Sequence, residues 1–377
     1  MPKDLSWLRR YHAVIVVAAM LVLMISNGLT LSGLGPMRKA YAAELGWTPA
    51  QVATGDLITF VLLGLLAPLV GPLIDRFGTR VLMQLGLLAL AAGYGLYGDL
   101  QSLGQLHAIH ALFAVVLALC GMVPVVALVS RWFEAARGTA IGLALVGSSV
   151  ASFVFPPLAE RWLIPAYGWR EAFGVLAWVA IGGFVLVVLL VRSAPADSGR
   201  LAYGAQAPGP LRASAVPGLS VREALRTRAF WILCTAAFMT FFAMLGTLNQ
   251  LPFFLGSLGL AELSGGYAAM LGSALVGKFL FGFLADRLGA KPVFLGNLAV
   301  MALGAALLAL AQAGSVYAAL AVFGAGWGGL YTLLQLLTVQ SFGLKATGRI
   351  LGWIALVDCI GGGLGGVVIA EVAARSG

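Results

Sequence analysis

Eleven stretches of mostly apolar residues recur along this chain of 377 residues, at roughly 11–35, 52–74, 80–98, 106–130, 137–159, 170–191, 229–254, 264–285, 291–312, 315–340 and 349–370. Each is close to the 20 or so residues that a helix needs to cross about 30 Å of hydrocarbon. In oil, every backbone amide must find its partner inside the chain, so runs this long and apolar resolve into helices. Only 10% of the residues are charged and 61% are hydrophobic, against about 25% charged in a soluble domain. So few charges cannot cover a water-facing surface, and the apolar excess faces lipid. The 50 glycines sit largely inside the apolar runs, where small residues let membrane helices approach closely. The fold class expected is an all-α membrane protein.

A net charge of +9 invites a nucleic-acid reading, which the placement of the charges excludes. With the N-terminus inside, seventeen of the 23 Lys and Arg fall in inner loops, five in outer ones, and Lys278 lies within a helix. That asymmetry orients a polytopic protein and places the N-terminus in the cytoplasm. The run from Tyr11 to Pro36 exceeds the 7–15 apolar residues of a secretory signal, so it reads as a retained first span. Cys120, Cys234 and Cys359 lie singly within apolar runs and read as packing residues. His107 and His110, at an outer helix end, lack a third metal ligand and read as wet interface positions. Trp47, Trp132, Trp162, Trp169 and Trp231 read as anchors at the membrane edges. No phosphate-binding Gly-x-x-x-x-Gly-Lys-Ser/Thr occurs. No cofactor and no metal are expected, and one lysine and one aspartate are too few convergent groups for an enzyme.

The one long polar stretch, 193–228, contains Pro195, Pro208, Pro210 and Pro217. It reads as a flexible cytoplasmic linker, with a short amphipathic helix at Val221–Arg228. It divides the chain into an N-terminal six-helix half, 1–192, and a C-terminal half, 229–377. The halves repeat. Gly71-Pro-Leu-Ile-Asp75-Arg76-Phe-Gly78-Thr-Arg80 and Gly282-Phe-Leu-Ala-Asp286-Arg287-Leu-Gly289-Ala-Lys291 share one pattern at an offset of 211 residues. Gly138-x-x-x-Gly142 and Gly348-x-x-x-Gly352 correspond at an offset of 210. Parallel repeats of about six helices are one architecture of secondary transporters.

The Gly71–Arg80 segment resembles the loop signature of the major facilitator superfamily. Further segments are similar to its bacterial monocarboxylate and oxalate–formate branch: Glu44-Leu45-Gly46-Trp47, Arg131-Trp132-Phe133 with Arg137-Gly138, Tyr167-Gly168-Trp169-Arg170, and Gly277-Lys278-x-x-x-Gly282. The resemblance spans nearly the whole chain. It implies a multi-pass carrier of the bacterial inner (plasma) membrane, monomeric, with small molecules and lipid but no nucleic acid as partners. The superfamily normally has twelve helices, and the twelfth appears absent from this sequence. The resemblance also implies a conformational latch of Gly71, Asp75, Arg76, Gly78, Arg80, Asp286 and Arg287, in which Asp75 meets the start of the eleventh helix near Gly348 and Arg349. An acid at a helix N-terminus is stabilised by about 0.3–1 kcal/mol when exposed.

A charge in mid-membrane costs about 2.5–3.5 kcal/mol on insertion scales and so marks a pathway. Lys278 lies eight residues, about 12 Å, before Asp286; Asp358 lies nine residues, about 13 Å, past Arg349 on a helix running the other way. Tyr331 and Gln335 share a helix face near the same depth. The four compose an expected anion site in which Lys278 takes a carboxylate or, when empty, Asp358, and Asp358 carries a coupling proton. A structural ion pair is the plainer alternative. Relatives of the branch carry arginine where this chain has Lys278, and the resemblance implies contact with the substrate carboxylate there. Oxalate transporters place a lysine where Asp358 aligns, so a dianion is not expected. Gly121, Met122 and Val123 ahead of Pro124 leave the first half apolar. Asn27 and Asn249 are candidate lining residues, Asn249 falling where relatives often have histidine. The reading is a proton-coupled carrier of a small monocarboxylate with an apolar body, moving by alternating access. The alternative is a drug or other small-molecule efflux transporter, against which Lys278 counts.

Overall fold

Helix ends in this chain are set by side chains that the sequence places there. The structure, a computed structural model, describes residues 11–205, 218–260 and 263–376. Those residues are helical nearly throughout. Helices α1 (Tyr11–Asn27) and α2 (Leu34–Leu45) flank one wide turn at Gly28–Ser32, closed by the Gly33 amide on the Gly28 carbonyl at 2.7 Å. A Cβ on Gly28 would lie 2.1 Å from the Phe155 ring, so this turn needs a glycine. Gly46 ends α2 in a left-handed conformation (φ 69°) that glycine adopts without strain. Thr48 and Gln51 then cap α3 (Pro49–Gly98) reciprocally, and Ser102 and Gln105 do the same for α4 (Leu103–Cys120). Helices α5 (Met122–Trp132), α6 (Arg137–Leu158) and α7 (Ile164–Leu190) follow. Then come α8 (Val221–Leu225), α9 (Arg228–Ser257), α10 (Leu263–Leu288), α11 (Ala290–Ala309), α12 (Val316–Phe342) and α13 (Thr347–Ser376).

Among the described residues, nine helical stretches are long and apolar enough to cross a membrane. Two of them, Ala50–Gly98 and Arg137–Leu190, run 49 and 54 residues. At 1.5 Å per residue that is about 74 and 81 Å, more than twice a bilayer core. Each is interrupted by a glycine with non-helical backbone, Gly78 (φ 76°) and Gly168 (φ 72°).

The chain forms two compact units. Among the described residues, one comprises 11–132 and 147–203, and the other comprises 133–146 and those from 204 onward. In the first unit, α3 packs against α4 and α7 around Tyr94, Tyr97, Phe113 and Phe173, with the Tyr97 and Phe173 rings stacked at 4.3 Å. Trp132 and Trp169 are buried here, unlike the edge positions expected of them. The Trp132 indole donates to the Arg192 carbonyl at 2.9 Å, and that of Trp169 to Glu44 at 2.6 Å. Trp162 and Trp231 are exposed.

In the second unit, α12 is sheathed by α10 and α11 while α9 pairs with α13. Glycines set the closeness. A Cβ on Gly328 would fall 2.1 Å from the Ala274 carbonyl oxygen, and one on Gly277 2.2 Å from that of Ala325. Along α13, Gly361 and Gly365 admit the backbone of Phe238 and Phe242 in the same way.

The polar stretch 193–228 is ordered at both described ends, although its composition suits a flexible linker. Tyr203 is buried, its ring 5.9 Å from that of His12, and its amide donates to the Trp132 carbonyl at 2.8 Å. At the far end the Leu219 amide donates to the Phe342 carbonyl at 2.8 Å. The Ser220 hydroxyl and amide bind Glu223 and hold its carboxyl below the usual range. Helix α8 spans only five of the eight residues expected, because Thr227 caps α9 directly after it. Pro208, Pro210 and Pro217 lie outside the described residues.

Candidate functional site

The site in the second unit begins with backbone packing. Because α10 and α12 touch through Gly277, Gly324 and Gly328, Lys278 is carried into the interior and is 2% exposed. Its carbonyl accepts the Thr332 hydroxyl at 3.0 Å. Its side chain reaches along α12, where the ammonium lies 4.9 Å from the Tyr331 ring centre and 5.3 Å from that of Trp327. An ammonium over aromatic faces is stabilised by about 2 kcal/mol or more once water is excluded. Phe241 of α9 continues the aromatic wall, 5.9 Å from Tyr331. Trp327 was legible as a neighbour, since it stands one turn before Tyr331 on the same face, but an aromatic in an apolar run reads as core.

Asp358 on α13 is 3% exposed, and neither of its carboxylate oxygens has a hydrogen-bond partner among the described residues. It lies within electrostatic range of Tyr331, Cys234 and Cys359. Among the described residues Asp358 accepts no hydrogen bond from the Lys278 ammonium, so the hydrogen-bonded pair expected of the empty site is not formed. Tyr331 stands near both. Gln335, one turn further along α12, is 2% exposed with its Oε1 unpartnered; the Trp327 Nε1 is likewise buried without an acceptor. Asn249 is exposed on α9, and Asn27, half-buried at the end of α1, belongs to the other unit.

Each signature copy holds its acid and its arginine in named contacts. Asp286 caps the start of α6: its carboxylate accepts the Gly138 amide at 2.8 Å and the Thr139 amide and hydroxyl at 2.6 Å each. This seats an anion on the positive end of a helix dipole. Gly138 and Gly282 allow it, since a Cβ on either would meet the other's carbonyl oxygen within 2.5 Å. Arg287 lies over the Phe283 ring at 4.2 Å. In the first copy, Asp75 faces Arg131 at 3.8 Å and Arg76 lies over Phe77 at 5.1 Å. Gly71 is buried. Gly78 turns over Ser193, whose hydroxyl accepts the Arg80 amide at 3.1 Å, while the Arg80 guanidinium donates to the Val188 carbonyl at 2.6 Å.

Hydropathy also hid a polar network in the first unit. His110 is fully buried, not at a wet edge, with Nδ1 2.8 Å from the Thr59 hydroxyl and Nε2 2.9 Å from that of Tyr97. Asp56, 3.9 Å from His110, binds Arg38 at 2.5 Å. Two of the branch segments meet one another here: Glu44 accepts Trp169 Nε1 and the Arg170 guanidinium, which also donates to the carbonyls of Gly98 and Leu100.

Residues 20–366 match the sequence profile of the Major Facilitator Superfamily. The chain is 26% identical to the Fujikurins efflux protein of Gibberella fujikuroi over 269 residues, 71% of this chain and 53% of that protein. It therefore spans about half the length of that relative. It is 28% identical to the oxalate:formate antiporter of Oxalobacter formigenes over 347 residues, covering 86% of this chain and 77% of the antiporter. The fold is similar to that of the Escherichia coli fucose:proton symporter, with a TM-score of 0.70 at 15% identity over 97% of this chain and 92% of that one.

Proposed function

The chain belongs to the major facilitator superfamily, and on that premise we propose that it is a secondary active transporter of a small monocarboxylate with an apolar body, coupled to protons. We count each of the two long helical stretches as two crossings, which gives eleven among the described residues. One observation carries the reading: a buried lysine lies against two aromatic faces, and a buried aspartate with no hydrogen-bond partner among the described residues stands on a nearby helix. A bare carboxylate in that setting would cost several kcal/mol, so the acid form is the one tolerated. Lys278 attracts the anion, Asp358 carries the proton, and the pair of charges crosses the membrane together. The likeness to an antiporter named for oxalate and formate supports an anionic cargo. The efflux relative favours a second reading, export of a drug or other small molecule, and the apolar first half agrees with it. A thermal-stability panel separates the two. Small monocarboxylates are expected to raise the melting temperature and cationic drugs are not; the reverse ranking overturns the carboxylate reading.

The Asp286 cap is the second-half counterpart of the latch, and we place it among the contacts that break as the carrier changes state. Asp286→Asn keeps the side-chain size and removes the charge that two amides and a hydroxyl point toward. Charge-assisted bonds are roughly twice as strong as neutral ones. Amide hydrogen exchange at Gly138 and Thr139 is expected to quicken by about tenfold, which corresponds to about 1.4 kcal/mol. Unchanged protection there removes Asp286 from the latch.

A further inference from the structure

Two buried polar atoms on one stripe of α12 have no hydrogen-bond partner among the described residues and are not used by a bare carboxylate with an apolar tail. Trp327, Tyr331 and Gln335 are spaced four residues apart, so they rise along one face with about 6 Å between successive positions. At one end, the Trp327 indole N–H is a buried donor without an acceptor. At the other, the Gln335 Oε1 is a buried acceptor without a donor, on a side chain 98% removed from solvent. Between them lie the Lys278 ammonium and the faces of Tyr331 and Phe241. Buried polar groups in native proteins are almost always satisfied, and orphans gathered at one site mark what a bound molecule supplies.

We propose that the substrate is an aromatic monocarboxylate bearing a hydrogen-bond donor, such as a hydroxyl, on the ring position opposite its acid arm. This rests on the carboxylate reading of the same site and narrows it. The carboxylate sits at Lys278, where the Trp327 N–H supplies a second donor. The ring stacks against Tyr331 and Phe241, which offer the faces that aromatic pairs prefer. The ring hydroxyl donates to Gln335 Oε1. From the level of Lys278 to Gln335 the stripe spans roughly 6–12 Å, which one benzene ring with a short carboxylate arm and a para hydroxyl fills. A site that holds a buried acceptor for a hydroxyl rejects the analogue lacking it far more strongly than an apolar wall rejects a missing methylene, because the acceptor is left bare. Asp358, as the acid, needs nothing from such a substrate, and the coupling proton stays separate from recognition.

The test is equilibrium binding to the purified full chain in lipid nanodiscs, using phenylacetate, 4-hydroxyphenylacetate and 4-methoxyphenylacetate. The methoxy compound keeps the oxygen and removes the donor. The hydroxy acid is expected to bind at least tenfold more tightly than the other two. In Gln335→Met, of similar length and without the acceptor, that advantage is expected to fall below threefold. Trp327→Phe is expected to weaken all three acids by a similar factor, because it removes a donor to their shared carboxylate. The inference is overturned if the three acids bind the wild type within threefold of one another, or if the hydroxyl preference survives in Gln335→Met. The wild-type comparison decides alone should that variant fail to fold. Binding of acetate or propionate that depends on Lys278, with none of the aromatic acids bound, sinks the aromatic inference and leaves the carboxylate reading standing. Binding of no carboxylate of any size sinks both.

Discussion

Lys278→Ala is expected to abolish carboxylate uptake while leaving the protein folded. Truncating one partner of a buried, hydrogen-bonded charge pair costs about 2–5 kcal/mol, or roughly 30-fold to several thousand-fold in efficiency. The loss falls on the bound state, where the substrate anion would be stranded in a setting that is 2% exposed at this position. The empty protein loses an ammonium that is costly to keep out of water together with the contacts that hold it, the faces of Trp327 and Tyr331 among them, so its melting temperature is expected to change little. That combination distinguishes a substrate cation from a structural one, whose removal would lower uptake and stability together. Lys278→Arg is expected to retain part of the activity. Its planar fork suits a carboxylate better than a point charge does, but it must enter a space bounded by Trp327 and Tyr331. Uptake into proteoliposomes, paired with thermal unfolding in nanodiscs, reads both quantities. Wild-type uptake in Lys278→Ala would remove the lysine from the site.

Asp358→Asn is expected to separate the anion from the proton. The amide matches the neutral acid in shape and cannot give up a proton. The variant should therefore still exchange labelled substrate across the membrane but no longer accumulate it against a gradient when the outside is made acidic. Loss of both exchange and accumulation would make Asp358 a folding or binding residue; accumulation equal to that of the wild type would leave it no part in coupling. The argument depends on its isolation. A carboxylate paired with Lys278 would be charged and held in place, whereas one with both oxygens bare can release a proton and take one up as the surroundings alternate.

Much of the architecture was legible in the order of residues because lipid removes alternatives. Runs of about 20 apolar residues have one outcome in a bilayer, and the family is legible in the Gly-x-x-x-Asp-Arg pattern. Lys278 and Asp358 stood out for the same reason, as charges where charge is costly. What hydropathy could not resolve is direction around a helix axis. Trp132 and Trp169 sit at predicted membrane edges, yet their indoles turn inward to bind Arg192 and Glu44. His110, expected near an outer helix end, likewise points into the unit toward Thr59 and Tyr97. A one-residue rotation of about 100° separates an anchor from a core residue, and mean hydropathy is blind to it. Partners distant in sequence were hidden as well. The Asp286 cap spans 147 residues to Thr139, a separation that no local pattern bridges. The burial of Tyr203 is not legible in the composition of 193–228, because one tyrosine that buries itself leaves proline and glycine content unchanged.

Joint movement of one anion and one proton is the claim on which the account stands, and external pH reports it directly. Adding the carboxylate to weakly buffered proteoliposomes holding the wild-type protein, with membrane potential clamped, is expected to make the medium alkaline by one proton for each anion that enters. The same addition to Asp358→Asn vesicles preloaded with unlabelled substrate is expected to move label without moving pH. Entry of labelled anion through the wild type with no accompanying alkalinisation would contradict it.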